Sequence, residues 1–294
     1  MSIRIPRCLP LCGVLVLSSL LVACGGGGQP AAPPVVAAKL GGESVLQAST
    51  VFDTTGTSDP AGGALTLSWD YGDGSSGSAS SHVYTRTGSF NAVLTARNAA
   101  GASSSATLAL TVAKCSLAGT SAAALSPYPT VCMQTSSGEM VLEVYPTQAP
   151  LTTANFLKYV GDGFYAGTLF HRVVKDFVIQ GGGFTTGLVA KPPTYAAIPL
   201  ESNNGLKNWQ YTLAMARTNV ANSATSQFFV NLLANSFLDY NAALGTANGY
   251  AVFGQVISGT AVVDAIGLVA TSTQSGFDNV PVQDVVIRSA VRMP

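Results

Sequence analysis

The sequence predicts a mainly β protein built as two domains, and three observations carry that prediction. Short runs between Val35 and Ala113 alternate apolar and polar residues with a period of two, which marks half-buried strands. A second alternating pattern begins near Val131 and is joined by one stretch of helical period. Between them lies a segment, 114–130, rich in Ser, Ala, Gly and Pro, which reads as an inter-domain linker.

Length and composition agree. A chain of 294 residues has room for two domains. Hydrophobic residues make up 47% of it and charged residues only 10%, against about 25% charged in an average soluble chain. No basic stripe runs through the sequence, so nucleic acid has no electrostatic handle on it and is excluded as a partner. Removing residues 1–23 takes away Arg4 and Arg7 and no acid, leaving 12 basic against 14 acidic side chains. The resulting field is weak at long range.

Residues 1–23 read as an address. Arg4 and Arg7 form a positive n-region, followed by an apolar stretch from Leu9 to Val22 that is too short to span a bilayer. It ends in Leu21-Val22-Ala23-Cys24-Gly25, which resembles the bacterial lipobox. The resemblance implies cleavage before Cys24 and lipid on that residue, anchoring the mature chain to a membrane. More than one acyl chain is what stable anchoring requires. Gly25 after the cysteine, where the sorting rules watch for Asp, points to the outer membrane. The expected location is therefore the cell envelope, facing the periplasm, with surface display as the alternative. Residues 24–34 are Gly- and Pro-rich and form a tether with a reach of roughly 20 Å.

The first domain, 35–113, takes its strands from alternations such as Leu65-Leu67-Trp69, Phe90-Ala92-Leu94-Ala96 and Leu108-Leu110-Val112. Several such strands at close spacing predict a β-sandwich. Trp69-Asp70-Tyr71-Gly72-Asp73-Gly74, followed by His82-Val83-Tyr84, Gly88-Ser89-Phe90 and Asn98-Ala99-Ala100-Gly101, resembles a PKD domain. That implies an immunoglobulin-like sandwich used as a spacer or adhesion module, with an envelope partner as one role. Asp70 and Asp73 are expected to bond the turn backbone, and His82, with no second His nearby, is structural.

Once Cys8 and Cys12 leave with the signal and Cys24 carries lipid, only Cys115 and Cys132 remain. An even pair in an oxidising compartment points to a disulfide stapling the domain junction.

The second domain, 131–294, opens with a strand in which Met140, Leu142 and Val144 share one face. Pro150 then starts a helix carrying Ala154, Phe156, Leu157 and Val160. Its densest cluster is Leu169-Phe170-His171-Arg172-Val173-Val174-Lys175-Asp176-Phe177-Val178-Ile179-Gln180-Gly181-Gly182. Strict alternation separates Phe177 from Gln180, so a site using both needs a bend or a sheet edge.

This cluster is similar to the cyclophilin signature. Further matches follow in order: Glu201 with Asn204-Gly205-Leu206, Ala214-Met215-Ala216-Arg217, Ser226-Gln227-Phe228-Phe229, Phe237-Leu238-Asp239 and Tyr250-Ala251-Val252-Phe253-Gly254. The resemblance implies a closed eight-stranded antiparallel barrel with two helices, the second near Thr260–Leu268, and peptidyl-prolyl cis–trans isomerase activity on proline-containing polypeptide clients. It assigns Arg172 to the twisted amide. It places the proline pocket at Phe177, Val178, Phe229 and Leu238, and gives Gln180 the task of holding Arg172 and the substrate backbone in register. Ala216, Arg217 and Gln227 line the groove ahead of proline. Phe237 stands where the familiar eukaryotic pattern has Trp, and Tyr250 where it has His; Val178 replaces a Met, and Arg217-Thr218 an Asn-Ala pair. These choices resemble the periplasmic bacterial branch, and the Trp lost at Phe237 removes an indole donor that cyclosporin binding would use.

Rotation about a peptide bond needs no nucleophile, proton shuttle, cofactor or metal. With His82 and His171 in different domains, a Ser-His-Asp or Cys-His arrangement is excluded. His171, next to Arg172 on the opposite face of an extended strand, reads as structural. The rival reading is a non-catalytic lipoprotein that grips proline-containing peptides or mediates adhesion.

Overall fold

The computed structural model describes residues 31–245 and 248–294. Cys24, the signal segment 1–23 and most of the tether lie outside the described residues. The N-terminal domain packs a three-stranded antiparallel sheet (Lys39–Leu40, Ser49–Asp53, Ser81–Val83) on a four-stranded one (Leu65–Asp70, Ser76–Gly77, Gly88–Asn98, Ser103–Val112). Inward positions alternate as the sequence predicts. Phe90, Ala92, Leu94 and Ala96 are buried along one long strand, while Asn91 and Ser89 are exposed. Aromatic rings stack through the core, Phe52 on Trp69 at 4.5 Å and on Tyr71 at 5.7 Å. Asp70 accepts the Gly72 N–H at 2.9 Å, and Asp73 accepts the Ser75 N–H at 3.0 Å. Gly72 takes φ +79°, and a side chain there would meet the Asn91 backbone. Burial works against the Asp73 carboxylate, but hydrogen bonds from Ser75 and His82 outweigh it and hold its pKa down at about 2.

The segment expected as a linker is not one throughout. Leu117–Leu125 forms helix α1. The reason lies in its composition: Ala and Leu are the best helix formers, and Ser116 caps the start by accepting the Gly119 N–H at 3.0 Å. Cys115, just ahead of the helix, is bonded to Cys132 in the strand Thr130–Thr135, with 5.9 Å between Cα atoms. Other bonds join the domains: Glu43 accepts the Leu117 N–H at 2.8 Å, Lys114 donates to the Arg292 carbonyl at 3.3 Å, and Arg288 to the Gln47 carbonyl at 3.2 Å. Val291 packs against the N-terminal core. The two domains are docked.

The second domain is built on one curled antiparallel sheet, with a separate two-stranded hairpin at Thr271–Gln274 and Phe277–Pro281. Eight strands follow one another in hydrogen-bonded order: Arg172–Val174, Val178–Gly181, Phe228–Asn231, Thr212–Met215, Val252–Ser258, Gly138–Val144, Thr130–Thr135 and Val286–Arg292. Two-residue strands at Thr168–Leu169, Phe184–Thr185 and Val189–Ala190 extend the last edge. The first and ninth strands in this order are consecutive in the chain, joined by Phe170 and His171. Chain continuity, rather than a ladder, therefore brings the two edges of the barrel together.

Its interior is filled by inward residues of these strands, among them Val131, Met133, Met140, Leu142, Ile179, Leu213, Phe228, Val230 and Phe253. Helix α2, Pro150–Gly161, caps this core with Phe156, Tyr159 and Val160, spaced for one helical face. Pro150 sits in its first turn, where its missing N–H is harmless. The Glu201 carboxylate supplies the cap from a distant loop, accepting from Leu151 N (3.0 Å), Thr152 N (2.8 Å) and Thr152 Oγ1 (2.7 Å). Helix α3, Thr260–Gly267, adds Val263 and Ile266 to the same core.

Candidate active site

The strands that close the core inward present a second, smaller apolar set outward. Residues opposite one another make a transverse row: Arg172 pairs with Gln180, Gln180 with Phe229, Phe229 with Ala214, and Ala214 with Val252. Because successive side chains of a strand alternate, the whole row faces outward, and its neighbours Val173, Ile179, Phe228 and Leu213 face the core. Val178, Ala214, Phe229 and Val252 are buried together outside the barrel wall.

Phe177 joins this face through a bend. Lys175, Asp176 and Phe177 turn the chain between two paired strands, with Asp176 at φ 58° and the Phe177 N–H donating to the Val174 carbonyl at 3.1 Å. The alternation that would have separated Phe177 from Gln180 starts only after the turn. The Phe177 carbonyl then accepts from the Leu232 N–H at 2.8 Å and from Asn235 Nδ2 at 3.0 Å. Asn235 also donates to Asn231, which in turn donates to Thr212. This buried amide network, with Asn208 at its edge, ties the Phe177 turn to the loop bearing Phe237 and Leu238. Sequence reasoning passed over it. The signal was present in Asn231 and Asn235, two amides four residues apart in an apolar run, since buried amides need partners.

A cavity of about 180 Å³ opens over the outward face. Phe177, Val178, Phe229 and Leu238 form its apolar part, Arg172 and Gln180 one margin, and Ala216, Arg217 and Tyr250 the other. Of the residues singled out in the sequence, Gln227 and Phe237 stand outside its wall. Gln227 adjoins it through Gln180, accepting from Gln180 Nε2 at 3.0 Å, while Gln180 Oε1 accepts from Arg172 Nη1 at 3.4 Å. Phe237 is 74% exposed and stacks on Phe177 with 5.5 Å between centroids.

The Arg172 guanidinium lies 5.9 Å from the Phe177 ring centre and has no carboxylate within 4.0 Å among the described residues. Its donors are therefore available at the mouth of an apolar pocket. His171 points away, packing on Phe184 at 4.6 Å between centroids. Burial, aided by the Arg172 charge, pushes its pKa down to about 4, so it is neutral and structural near pH 7. Cys115, Cys132 and Glu139 form a cluster of metal-ligating residue types, but the two sulfurs are bonded to each other and Glu139 accepts from Ser116 and Gln134.

Comparison with known proteins gives the site its context. The profile of the PKD domain matches residues 31–112. That of the cyclophilin type peptidyl-prolyl cis-trans isomerases matches residues 130–292. The chain is 53% identical over 161 residues to peptidyl-prolyl cis-trans isomerase cyp18 of Streptomyces antibioticus, which spans 55% of this chain and 96% of that one. It is 46% identical over 159 residues to peptidyl-prolyl cis-trans isomerase B of Escherichia coli, spanning 54% of this chain and 96% of that one. With a peptidyl-prolyl cis-trans isomerase of Acinetobacter baylyi it shares 51% over 157 residues, 53% of this chain and 81% of the other. A PKD domain is thus joined here to a curled sheet whose arginine, without an acidic partner among the described residues, stands over an apolar pocket, and the chain belongs to the cyclophilin-type peptidyl-prolyl cis–trans isomerases.

Proposed function

We propose that this isomerase acts on X–Pro bonds of exported proteins and assists their folding in the cell envelope, held at a membrane by lipid on Cys24. The lipobox-like stretch, the signal-like n- and h-regions ahead of it and the bonded cysteine pair support that setting. The PKD domain serves as a spacer with a surface for an envelope partner.

Uncatalysed rotation faces a barrier of about 18–20 kcal/mol because amide resonance must be broken. In the twisted state the prolyl nitrogen holds a localised lone pair, and only there can it accept a strong hydrogen bond. Arg172 supplies the donor, so its contribution falls on the transition state rather than the bound substrate. The pocket of Phe177, Val178, Phe229 and Leu238 holds the ring; burying its three methylenes contributes about 2.4 kcal/mol at ~0.8 each. Gln180, backed by Gln227, keeps the guanidinium from swinging.

One observation carries this reading: an arginine without an acidic partner among the described residues, at the margin of an apolar pocket. The test is exchange NMR on a proline tetrapeptide with the wild type, Arg172→Ala and Arg172→Lys. Loss of kcat/KM by about a hundredfold in the alanine variant, with lysine recovering a small part, is expected. Equal rates for wild type and Arg172→Ala would overturn catalysis and leave a proline-peptide-binding or adhesion lipoprotein. Radiolabelled palmitate incorporated by the wild type and lost in Cys24→Ser tests the anchor.

A further inference from the structure

The groove carries more positive charge than rotation of an amide requires. Two guanidinium groups and no carboxylate stand among the residues lining it. Neither has a carboxylate within 4.0 Å among the described residues, where the ion pairs are His82–Asp73 and Lys207–Asp239. Asp239 follows Leu238 in the chain but turns to the Asn208 N–H at 2.8 Å, the Asn208 side-chain amide at 3.1 Å and Lys207 at 3.6 Å. A cleft lined by one sign of charge against low-dielectric walls holds its potential where the substrate lies.

Arg217 is not a freely swinging arginine. Nε donates to the Gly249 carbonyl at 3.0 Å, Nη1 donates to the Thr218 carbonyl at 2.9 Å, and the guanidinium covers the Tyr250 ring at 4.7 Å. These contacts fix the plane and use two of the five N–H donors of a guanidinium, leaving three. A fork held in place loses little freedom when it takes a planar carboxylate.

Its position is set by the floor. Tyr250 packs edge-on against Phe229 at 5.6 Å. From Arg172 to Ala214 the row crosses three inter-strand steps, about 14 Å at ~4.8 Å each. Phe229 lies two strands from Arg172 in this row and touches Tyr250, the ring that Arg217 covers, so a proline seated on Phe229 has an arginine to either side. An extended chain advances at most about 3.6 Å per residue, so the side chains that reach Arg217 belong to the one or two residues beside the proline.

We propose that Arg217 makes this enzyme selective for prolines with an acidic side chain within two residues, a substrate class that deepens the isomerase reading above and rests on it. Arg172 keeps the amide, and Arg217 reads the neighbour.

The experiment is exchange NMR on the full chain with peptides carrying Glu, Gln or Lys in turn at each of the two positions on either side of proline. Expected is a Glu-over-Gln ratio of kcat/KM of about three- to tenfold at one position at low salt, shrinking at 0.5 M salt as screening tightens. Arg217→Gln should bring that ratio to about one, and Arg217→Glu should move the preference to Lys. Each ratio is taken within one variant, so a general loss of activity cancels. A wild-type ratio near one at all four positions overturns the proposal while isomerisation stands. So does a ratio that survives Arg217→Gln. Acceleration of no peptide at all overturns both readings together.

Discussion

Gly183 packs against Gln227, and replacing it by alanine perturbs the site without substituting a residue that lines the cavity. Its backbone does not occupy the left-handed region, so Ala is conformationally acceptable there. The added methyl would lie 2.5 Å from Gln227 Cδ and 2.6 Å from Nε2, where ordinary contact begins near 3.4 Å. The Gln227 amide must retreat by about 0.9 Å, and the 3.0 Å bond from Gln180 Nε2 then stretches beyond hydrogen-bond range. Gln180 loses its backing, and Arg172 the acceptor that orients it. A neutral hydrogen bond contributes about 1 kcal/mol net, so kcat/KM should fall roughly three- to tenfold. Global stability should move by less than about 1 kcal/mol, because Ala restricts the unfolded chain as well. Exchange NMR for activity and thermal unfolding for stability read both. The decisive control is Gln227→Ala: alone it should lower kcat/KM to a similar extent. In its presence Gly183→Ala should add less than about twofold, since the three atoms nearest the methyl, all of the Gln227 side chain, are then gone. Independent, multiplicative effects of the two changes would refute the relay from Gln227 through Gln180 to Arg172, as would a fully active Gly183→Ala.

Other consequences are equally accessible. Reducing the Cys115–Cys132 bond, which closes a 17-residue separation, should lower stability by about 3 kcal/mol, seen as a lower unfolding midpoint in reductant and reproduced by Cys115→Ser. His171 binds protons more readily unfolded, near 6.5, than folded, near 4. Stability should therefore be intact above pH 6.5 and fall as pH drops towards 4; denaturant titrations of His171→Phe should show a flatter slope over that window. Glu201→Ala removes three bonds from the start of α2 and should cost about 1–2 kcal/mol, measured by chemical denaturation.

Much of this was legible because outward and inward positions alternate along a strand, and the motif residues fall on the outward set. Phe177 shows the limit. Periodicity set it against Gln180, and only the left-handed Asp176 turn, a backbone property, reconciles them. Helix α1 was hidden by small residues that serve equally well in linkers and helices; its cap, Ser116, is an ordinary residue until Gly119 is seen to donate to it. Glu201 was recognisable by its place among the motifs, yet its task is to cap a helix about fifty residues upstream, which spacing does not reveal. Gln227 was expected in the groove; its contact there is with Gln180 rather than with the cavity itself, a distinction that depends on side-chain direction.

The docking of the two domains has a mechanical consequence. Tension entering at the N-terminal end of the sandwich would reach Cys115 and pass directly into the strand Thr130–Thr135 through the sulfur bridge. Helix α1 and the residues between the cysteines form a slack loop outside that load path. The bonds that Gln47 and Lys114 make with Arg288 and Arg292 resist rotation as the bridge resists extension. The sandwich and the Arg172 groove therefore turn as one body, and a load on the sandwich reorients the groove with it.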